Sequence, residues 1–201
     1  MGFTKAGQTI GELEALIAAY EPNAEFVHDR WAKTAVSQAI QAIKEGNIGV
    51  GGCIVKDKTL IFQDHNRQFV PYFRGDLHGE MVLMNQLEDS LKDEPSPNMR
   101  AYTIFTSQAP CPMCMLRLIT SGVGKILHVY SDFGTPDQGH VSSIERLPPV
   151  WAKLAKRQEI GEADCSPELK AISRQAFLLS VSVSVVLPIN TSPTASRSWA
   201  V

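Results

Sequence analysis

Two short segments of this chain carry residues that could bind a metal ion and move protons beside it. One is His78-Gly79-Glu80, and the other is Pro110-Cys111-Pro112-Met113-Cys114. Imidazole and thiolate groups are preferred zinc ligands, and three protein ligands leave one position of a tetrahedral zinc site open for water. A carboxylate two residues from a ligand could then transfer protons to and from that water. The spacing therefore predicts a catalytic zinc site.

The cysteine pair also has two other interpretations. Cysteines three residues apart lie on one face of a helix, which equally suits a redox pair or half of a structural zinc site. A redox pair leaves His78 and Glu80 without a role. A structural site needs a fourth protein ligand, and the other two cysteines, Cys53 and Cys165, have no matching spacing. The combined pattern favours the catalytic interpretation.

The composition is typical of a soluble globular protein. The chain has 201 residues, 44% of them hydrophobic and 20% charged, which is enough for one domain with a buried core. A formal net charge of −2 provides no basic field for a nucleic-acid backbone, so a nucleic-acid partner is not expected. Residues 1–10 contain no apolar run, and the apolar stretch from Phe177 to Ile189 is too short to span a bilayer. We therefore expect a cytoplasmic protein that does not bind membranes.

The remaining sequence must supply the elements that position the two segments. Hydrophobic periodicity, caps and turn residues predict alternating helices and strands. The predicted helices are 10–20, 29–45 with Asp29 as its N-cap, one from His78, 111–120, part of 143–156, and one from Ser166-Pro167 to about Leu178. The predicted strands are 51–55, 60–62, 101–106, 125–130 and a half-exposed strand at 181–185.

The order of these elements predicts where the two segments lie. Strand, helix, strand, helix, strand is a βαβ series, which implies parallel neighbours and helices on both faces of a sheet. Active groups in such sheets gather where strand ends meet helix starts. Both segments are predicted to begin a helix soon after a strand, so we expect them to meet at one edge of the sheet.

The chain resembles a known family in three stretches, from Asp29 to Asn66, at His78-Gly79-Glu80, and from Thr106 to Tyr130. Together they are similar to the cytidine-deaminase-like zinc superfamily, whose signature is H-x-E followed by P-C-x-x-C. Within it, the Pro-Cys-Pro-Met-Cys run resembles the branch that holds bacterial guanine deaminases and tRNA adenosine deaminases. The long C-terminal part and the lack of basic character make bacterial guanine deaminases the most similar group.

This resemblance implies an overall architecture. The expected fold is a three-layer α/β/α sandwich around a mixed, mostly parallel five-stranded sheet. Residues 1–201 would form a single domain, with a helical extension at about 1–28 and a C-terminal helix and tail at about 158–201. Members of the family are usually homodimers, often with exchanged C-terminal segments, so we expect a homodimer here.

The resemblance also implies roles for individual residues. Cys111, Cys114 and His78 would bind one Zn²⁺ per chain, with water or hydroxide as the fourth ligand. Glu80 would shuttle protons from that water to the substrate ring.

Two further residues are expected to act on a small-molecule nucleobase. Asn66, together with His78, would bind the edge of the base, although a position just past a strand also suits a turn residue. Glu145 is our candidate for a second proton-transfer group that assists the leaving amine, and its alternative is a solvated helix residue.

Three positions depart from the family pattern. Gly79 replaces an alanine, Ala109 replaces a glutamate before Pro-Cys, and Gly49-Val50 replaces a Pro-Phe pair whose phenylalanine can stack on the base. The aromatic partner of the base is therefore open. The candidates are Phe69, Tyr72, Phe73 and Trp199.

The expected reaction is hydrolytic deamination of a free purine base, most specifically guanine to xanthine plus ammonia. A tRNA adenosine deaminase and a cytosine or nucleoside deaminase would use the same site residues and remain alternatives. A zinc-stabilised scaffold without activity is the alternative outside the enzymes.

Overall fold

One mixed sheet with helices on both faces organises the chain. The computed structural model describes residues 8–131 and 147–186, and in that part five strands pair in the order β2-β1-β3-β4-β5. The helices are α1 (Ile10–Ala19), α2 (Asp29–Lys44), α3 (Gly79–Ser90), α4 (Pro112–Ser121), α5 (Pro149–Ala155) and α6 (Pro167–Val186). The strands are β1 (Gly51–Lys56), β2 (Thr59–His65), β3 (Tyr102–Gln108), β4 (Lys125–Tyr130) and β5 (Glu159–Glu162).

The sheet is mixed because a single strand runs against the others. β1 pairs antiparallel with both β2 and β3, whereas β3, β4 and β5 pair in parallel. A tight turn joins β1 to β2 through Asp57 and Lys58, whose φ angles are 50° and 58°, as two-residue hairpins require. Four of the five strands therefore point the same way, which confirms the mixed five-stranded sheet that the resemblance implied.

Alternate side chains of each strand enter two separate cores. This follows from the pleat, which points successive residues to opposite faces. On one face the inner residues Cys53, Phe105 and Leu127 pack with α1, α2 and α6. On the other face Ile54, Ile104 and Ile126 pack with residues of α3, α4 and α5. The result is the expected three-layer sandwich. The helices that begin at the two predicted zinc-binding segments, α3 and α4, lie on the same face of the sheet.

The fifth strand is not where the sequence placed it. The prediction of a strand at 181–185 is wrong, because α6 continues without a break to Val186. An alternation of valine and serine over five residues fits a half-exposed strand, but a preceding helix can propagate through it at little cost. The fifth strand is instead β5, which lies at one edge of the sheet and is only four residues long. None of the described helices, α6 included, combines the length and apolar character that a membrane crossing needs.

Asp29 has a different role from the one predicted. It was expected to be the N-cap of α2, but His28 occupies that position without a side-chain hydrogen bond. Asp29 is 1% exposed, and its carboxylate accepts hydrogen bonds from the backbone N–H groups of Asn23 and Ser166, both at 2.8 Å. It also accepts one from the hydroxyl of Tyr20. The carboxylate therefore ties the α1–α2 connection to the start of α6.

Candidate metal centre

Three potential metal ligands converge at one point of the structure. One ligand atom each from His78, Cys111 and Cys114 lies within 4.8 Å of the other two, and Cys111 Sγ is 3.8 Å from His78 Nδ1. Tetrahedral zinc with bonds of about 2.0–2.3 Å holds its ligands roughly 3.5–4 Å apart. The spacing of these three atoms therefore fits a single zinc ion.

The helix starts bring these atoms together. His78 is the N-cap residue of α3, and Cys111 is the N-cap residue of α4. Cys114 follows one turn later on α4 and is fully buried. α3 follows β2 and α4 follows β3, so both helices begin at the same end of the sheet, where four parallel-running strands finish. This confirms the predicted meeting of strand ends and helix starts.

The protonation of the two thiols shows why the cluster suits a cation. Hydrogen bonds from Cys114 and His78 lower the pKa of Cys111 to about 4. The hydrogen bond to Cys111, followed by burial, raises the pKa of Cys114. Cys111 is thus the more acidic thiol of the pair, and a divalent cation in contact with both sulfurs would stabilise both as thiolates. With this donor set, the residues present fit a zinc ion.

Glu80 adds a buried carboxyl group beside the ligands. It lies in the first turn of α3 and is 4% exposed. Burial, which disfavours the charged form, raises the pKa of Glu80 to about 7. A carboxyl group with a pKa near neutrality can both accept and donate protons at physiological pH. A role of Glu80 in proton transfer stays a prediction.

Asn66 borders the same region. It directly follows β2, is 2% exposed, and its backbone N–H donates to Val50 O at 2.8 Å. Its Oδ1 accepts from Gln68 N at 2.9 Å, which is the turn geometry of the alternative interpretation. Its Nδ2 group is a donor suited to a ring nitrogen or carbonyl oxygen of a base. The structure places Asn66 next to Gly79, and a role in binding a base stays a prediction.

Gly79 fills a tight position between these residues. A Cβ atom there would lie 3.2 Å from Val50 O and 3.4 Å from Asn66 N. Glycine at this position therefore lets the start of α3 lie close to the backbone of Val50 and of Asn66, the predicted base-binding residue.

Two candidates named from the sequence lie outside the described residues. Glu145 and Trp199 fall in the stretches 132–146 and 187–201, so their roles stay predictions. The other three aromatic candidates, Phe69, Tyr72 and Phe73, lie together in the loop between β2 and α3 and are 39%, 63% and 69% exposed.

The sequence interpretation overlooked two buried polar residues before Asn66. Asp64 is 4% exposed and accepts hydrogen bonds from Arg67 and from Gln86 of α3. His65 is 5% exposed, and its ring nitrogens contact Gln38 and Glu45 at 3.0 and 2.9 Å. The sequence did indicate such a site, because Asp64, His65 and Asn66 are three consecutive polar residues at the end of a strand. Such a run suggests a structured polar site rather than an edge exposed to solvent.

Fold and site together define a class. The chain is an α/β/α protein whose two helix starts present one histidine, two cysteines and an adjacent buried carboxyl group, the arrangement of a zinc site that keeps one open position. Residues 27–130 match the cytidine and deoxycytidylate deaminase zinc-binding region. The match covers more than half of the chain, so this protein belongs to that family of zinc-binding deaminases.

Individual relatives carry different substrate names. A cytosine deaminase from Candida albicans is 31% identical over 96 residues, which cover 47% of this chain and 61% of that protein. A tRNA-specific adenosine deaminase from Bacillus subtilis is 25% identical over 97 residues, covering 48% and 58%. The chain thus spans about six tenths of the length of these two relatives.

A solved structure matches the fold over a longer stretch. The guanine deaminase from Nitrosomonas europaea has a TM-score of 0.55 and 16% identity, with 88% of this chain and 100% of that chain covered. At this identity the likeness shows the fold alone.

Proposed function

We propose that this protein catalyses the zinc-dependent hydrolytic deamination of a free nucleobase, with guanine as substrate and xanthine plus ammonia as products. The observation that carries the proposal is the buried Glu80 carboxyl group beside the cluster of His78, Cys111 and Cys114, the three ligands found among the described residues. A redox pair or a purely structural zinc site has no use for a proton-transfer group in that position. The net charge of −2 favours a small neutral base over a nucleic acid.

Each site residue is assigned a separate role in the proposed reaction. Cys111, Cys114 and His78 would hold zinc, which supplies an activated water when bound. Glu80 would carry one proton from the attacking water to a ring nitrogen of the base, and the water oxygen would bond to the carbon that carries the amine. The amine would then accept the remaining hydroxyl proton, the bond between carbon and amine would break, and the amine would leave as ammonia. Asn66 and His78 orient the base, and Glu145 is the candidate for the second proton transfer.

Cytosine is the second candidate substrate. The observation that favours it is the 31% identity with a cytosine deaminase, which exceeds the 16% identity with the guanine deaminase of matching fold. Both bases present an amine on a carbon next to a ring nitrogen, so the same cluster can act on either. The walls of the base pocket, not the proton-transfer chemistry, must separate them.

Ammonia release from guanine, adenine, guanosine, adenosine, cytosine and cytidine tests the proposal. We expect the zinc-loaded protein to act on guanine with a kcat/KM at least about tenfold above that of the other five compounds, a difference of roughly 1.4 kcal/mol in transition-state binding. A highest value for cytosine would reject guanine in favour of the second candidate. No ammonia from any compound would reject the enzyme and leave the zinc-stabilised scaffold.

We further propose that residues 1–201 form one domain and that the protein acts in the cytoplasm as a homodimer, with exchange of C-terminal segments between the subunits. The single domain and the homodimer come from the resemblance, and the coverage of the full guanine deaminase chain supports the single domain.

A further inference from the structure

The loop formed by residues 67–77 begins and ends at the proposed site. It follows Asn66 and leads directly to His78, and a hydrogen bond of 2.9 Å from Arg67 N to Leu77 O joins its two ends. Because both ends adjoin residues assigned to the site, the conformation of the loop determines what surrounds them.

This loop carries a group of exposed hydrophobic side chains. Phe69 and Val70 are 39% and 44% exposed, and Tyr72 and Phe73 are 63% and 69% exposed. The rings of Phe69 and Phe73 contact each other, with centroids 5.9 Å apart. Planar aromatic rings stack well on planar bases, so the loop has the chemistry to cover the face of a nucleobase.

One side chain from outside the loop fixes its first turn. Asn47 is 3% exposed and lies between α2 and β1, where its backbone N–H donates to Ala42 O at 2.8 Å. Its Oδ1 accepts hydrogen bonds from Phe69 N at 2.8 Å and from Val70 N at 3.0 Å. A single buried oxygen thus attaches two successive peptide groups of the loop to the end of α2.

We propose that Asn47 is a positioning residue for nucleobase binding, which acts by holding Phe69 and the rest of loop 67–77 in the conformation that receives the base. The inference rests on the proposed function, because it assigns the loop to the same substrate. Asn47 is neither one of the three zinc ligands nor a proton-transfer group. Its loss should therefore weaken substrate binding and leave zinc binding and the chemical step largely intact.

The two polar atoms of the Asn47 side chain differ in their contacts, so substitutions can test the role of Oδ1 separately from that of Nδ2. Nδ2 is buried and has no hydrogen-bond partner within the part of the chain that the structure describes, whereas Oδ1 carries both contacts to the loop. Asn47→Ala removes both atoms. Asn47→Asp keeps an oxygen that can accept the same two hydrogen bonds and removes the unpaired donor.

Steady-state kinetics of the zinc-loaded full-length chain with guanine and cytosine form the first test. We expect Asn47→Ala to raise KM about tenfold while kcat stays within about threefold, and Asn47→Asp to return KM to within about threefold of the unmodified protein. Asn23→Ala is the matched control, because Asn23 Oδ1 also accepts a backbone N–H, that of Glu25 at 2.9 Å, but in the α1–α2 connection. The control should leave KM unchanged.

Hydrogen exchange of peptides spanning residues 67–77 is a second readout that needs no turnover. We expect faster exchange of the Phe69 and Val70 amides in Asn47→Ala and nearly normal exchange in Asn47→Asp. Unchanged exchange in Asn47→Ala would show that Asn47 does not hold loop 67–77. Faster exchange with an unchanged KM would overturn its link to the base.

Two remaining outcomes also decide the proposal. An equal rise in KM for Asn47→Asp and Asn47→Ala would reject positioning through Oδ1. If the unmodified protein released no ammonia from any base, the proposed function and the substrate role of the loop would both fail. The exchange result would still show whether Asn47 holds the loop.

Discussion

Replacing Glu80 by glutamine is expected to lower kcat by about 10²–10⁴-fold, the range typical for loss of a general acid–base group. The amide has nearly the same shape as the carboxyl group but cannot accept and return a proton at neutral pH. Glu80 is not among the three clustered ligand atoms, so the variant should bind zinc as the unmodified protein does. Ammonia release and zinc content, measured on the same preparation, check both parts.

Glu88→Gln provides the matched control for this experiment. Glu88 lies on the same helix as Glu80, but its side chain is 47% exposed and pairs with Arg117 at 2.7 Å. The same chemical change at this surface position should leave kcat and zinc content unaltered. A Glu80→Gln variant that turns over at a rate close to that of the control would remove the carboxyl group from the mechanism.

Replacing Cys114 by alanine is expected to remove zinc and activity together. The side chain is fully buried, and its sulfur is one of the three clustered ligand atoms. Loss of a residue that only supports a ligand costs about 10–100-fold in metal affinity, and loss of a ligand itself should cost more. Competition with a chelating dye, followed by elemental analysis after dialysis, measures the change in affinity and stoichiometry.

Cys165→Ala separates this effect from the general cost of truncating a buried cysteine. Cys165 is 4% exposed and packs in the core on the opposite face of the sheet, with α1, α2 and α6. Its alanine variant should lose some stability through the cavity but retain one zinc per chain. Equal zinc affinity in the two variants would show that Cys114 is not a ligand.

The metal cluster could be predicted from the sequence because each of its two segments is local and both follow strands of one sheet. Helical spacing alone puts Cys111 and Cys114 on one face, and the βαβ order places the two helix starts at the same end of the sheet. His78 and Glu80 share one of those helix starts. The order of strands and helices, together with the spacing within each segment, was therefore sufficient to predict the cluster.

Other features depended on contacts that spacing does not encode. The role of Asp29 arises from its hydrogen bond to Ser166, 137 residues away. The anchor of loop 67–77 is Asn47, which lies 22 and 23 residues before its partners and in the sequence looks like an ordinary residue after a helix. The end of α6 was misassigned because a short valine–serine alternation is compatible with either helix or strand.

Substrate choice was the least predictable property. The relatives that match this chain are named for different substrates, so the family match does not select one base. Loop 67–77 offers exposed aromatic rings, and Gly79 with Val50 brings the backbone close to Asn66. Such details are set by packing between distant segments, which is why guanine and cytosine must be separated by kinetics.

The most direct test of the account is X-ray absorption at the zinc edge on the zinc-loaded protein. We predict one zinc per chain with two sulfur ligands at about 2.3 Å, a histidine nitrogen at about 2.0–2.1 Å, and a fourth ligand that is the oxygen of water or hydroxide. A third sulfur or a second histidine in the coordination shell, or no stoichiometric zinc at all, would contradict an open catalytic site beside Glu80.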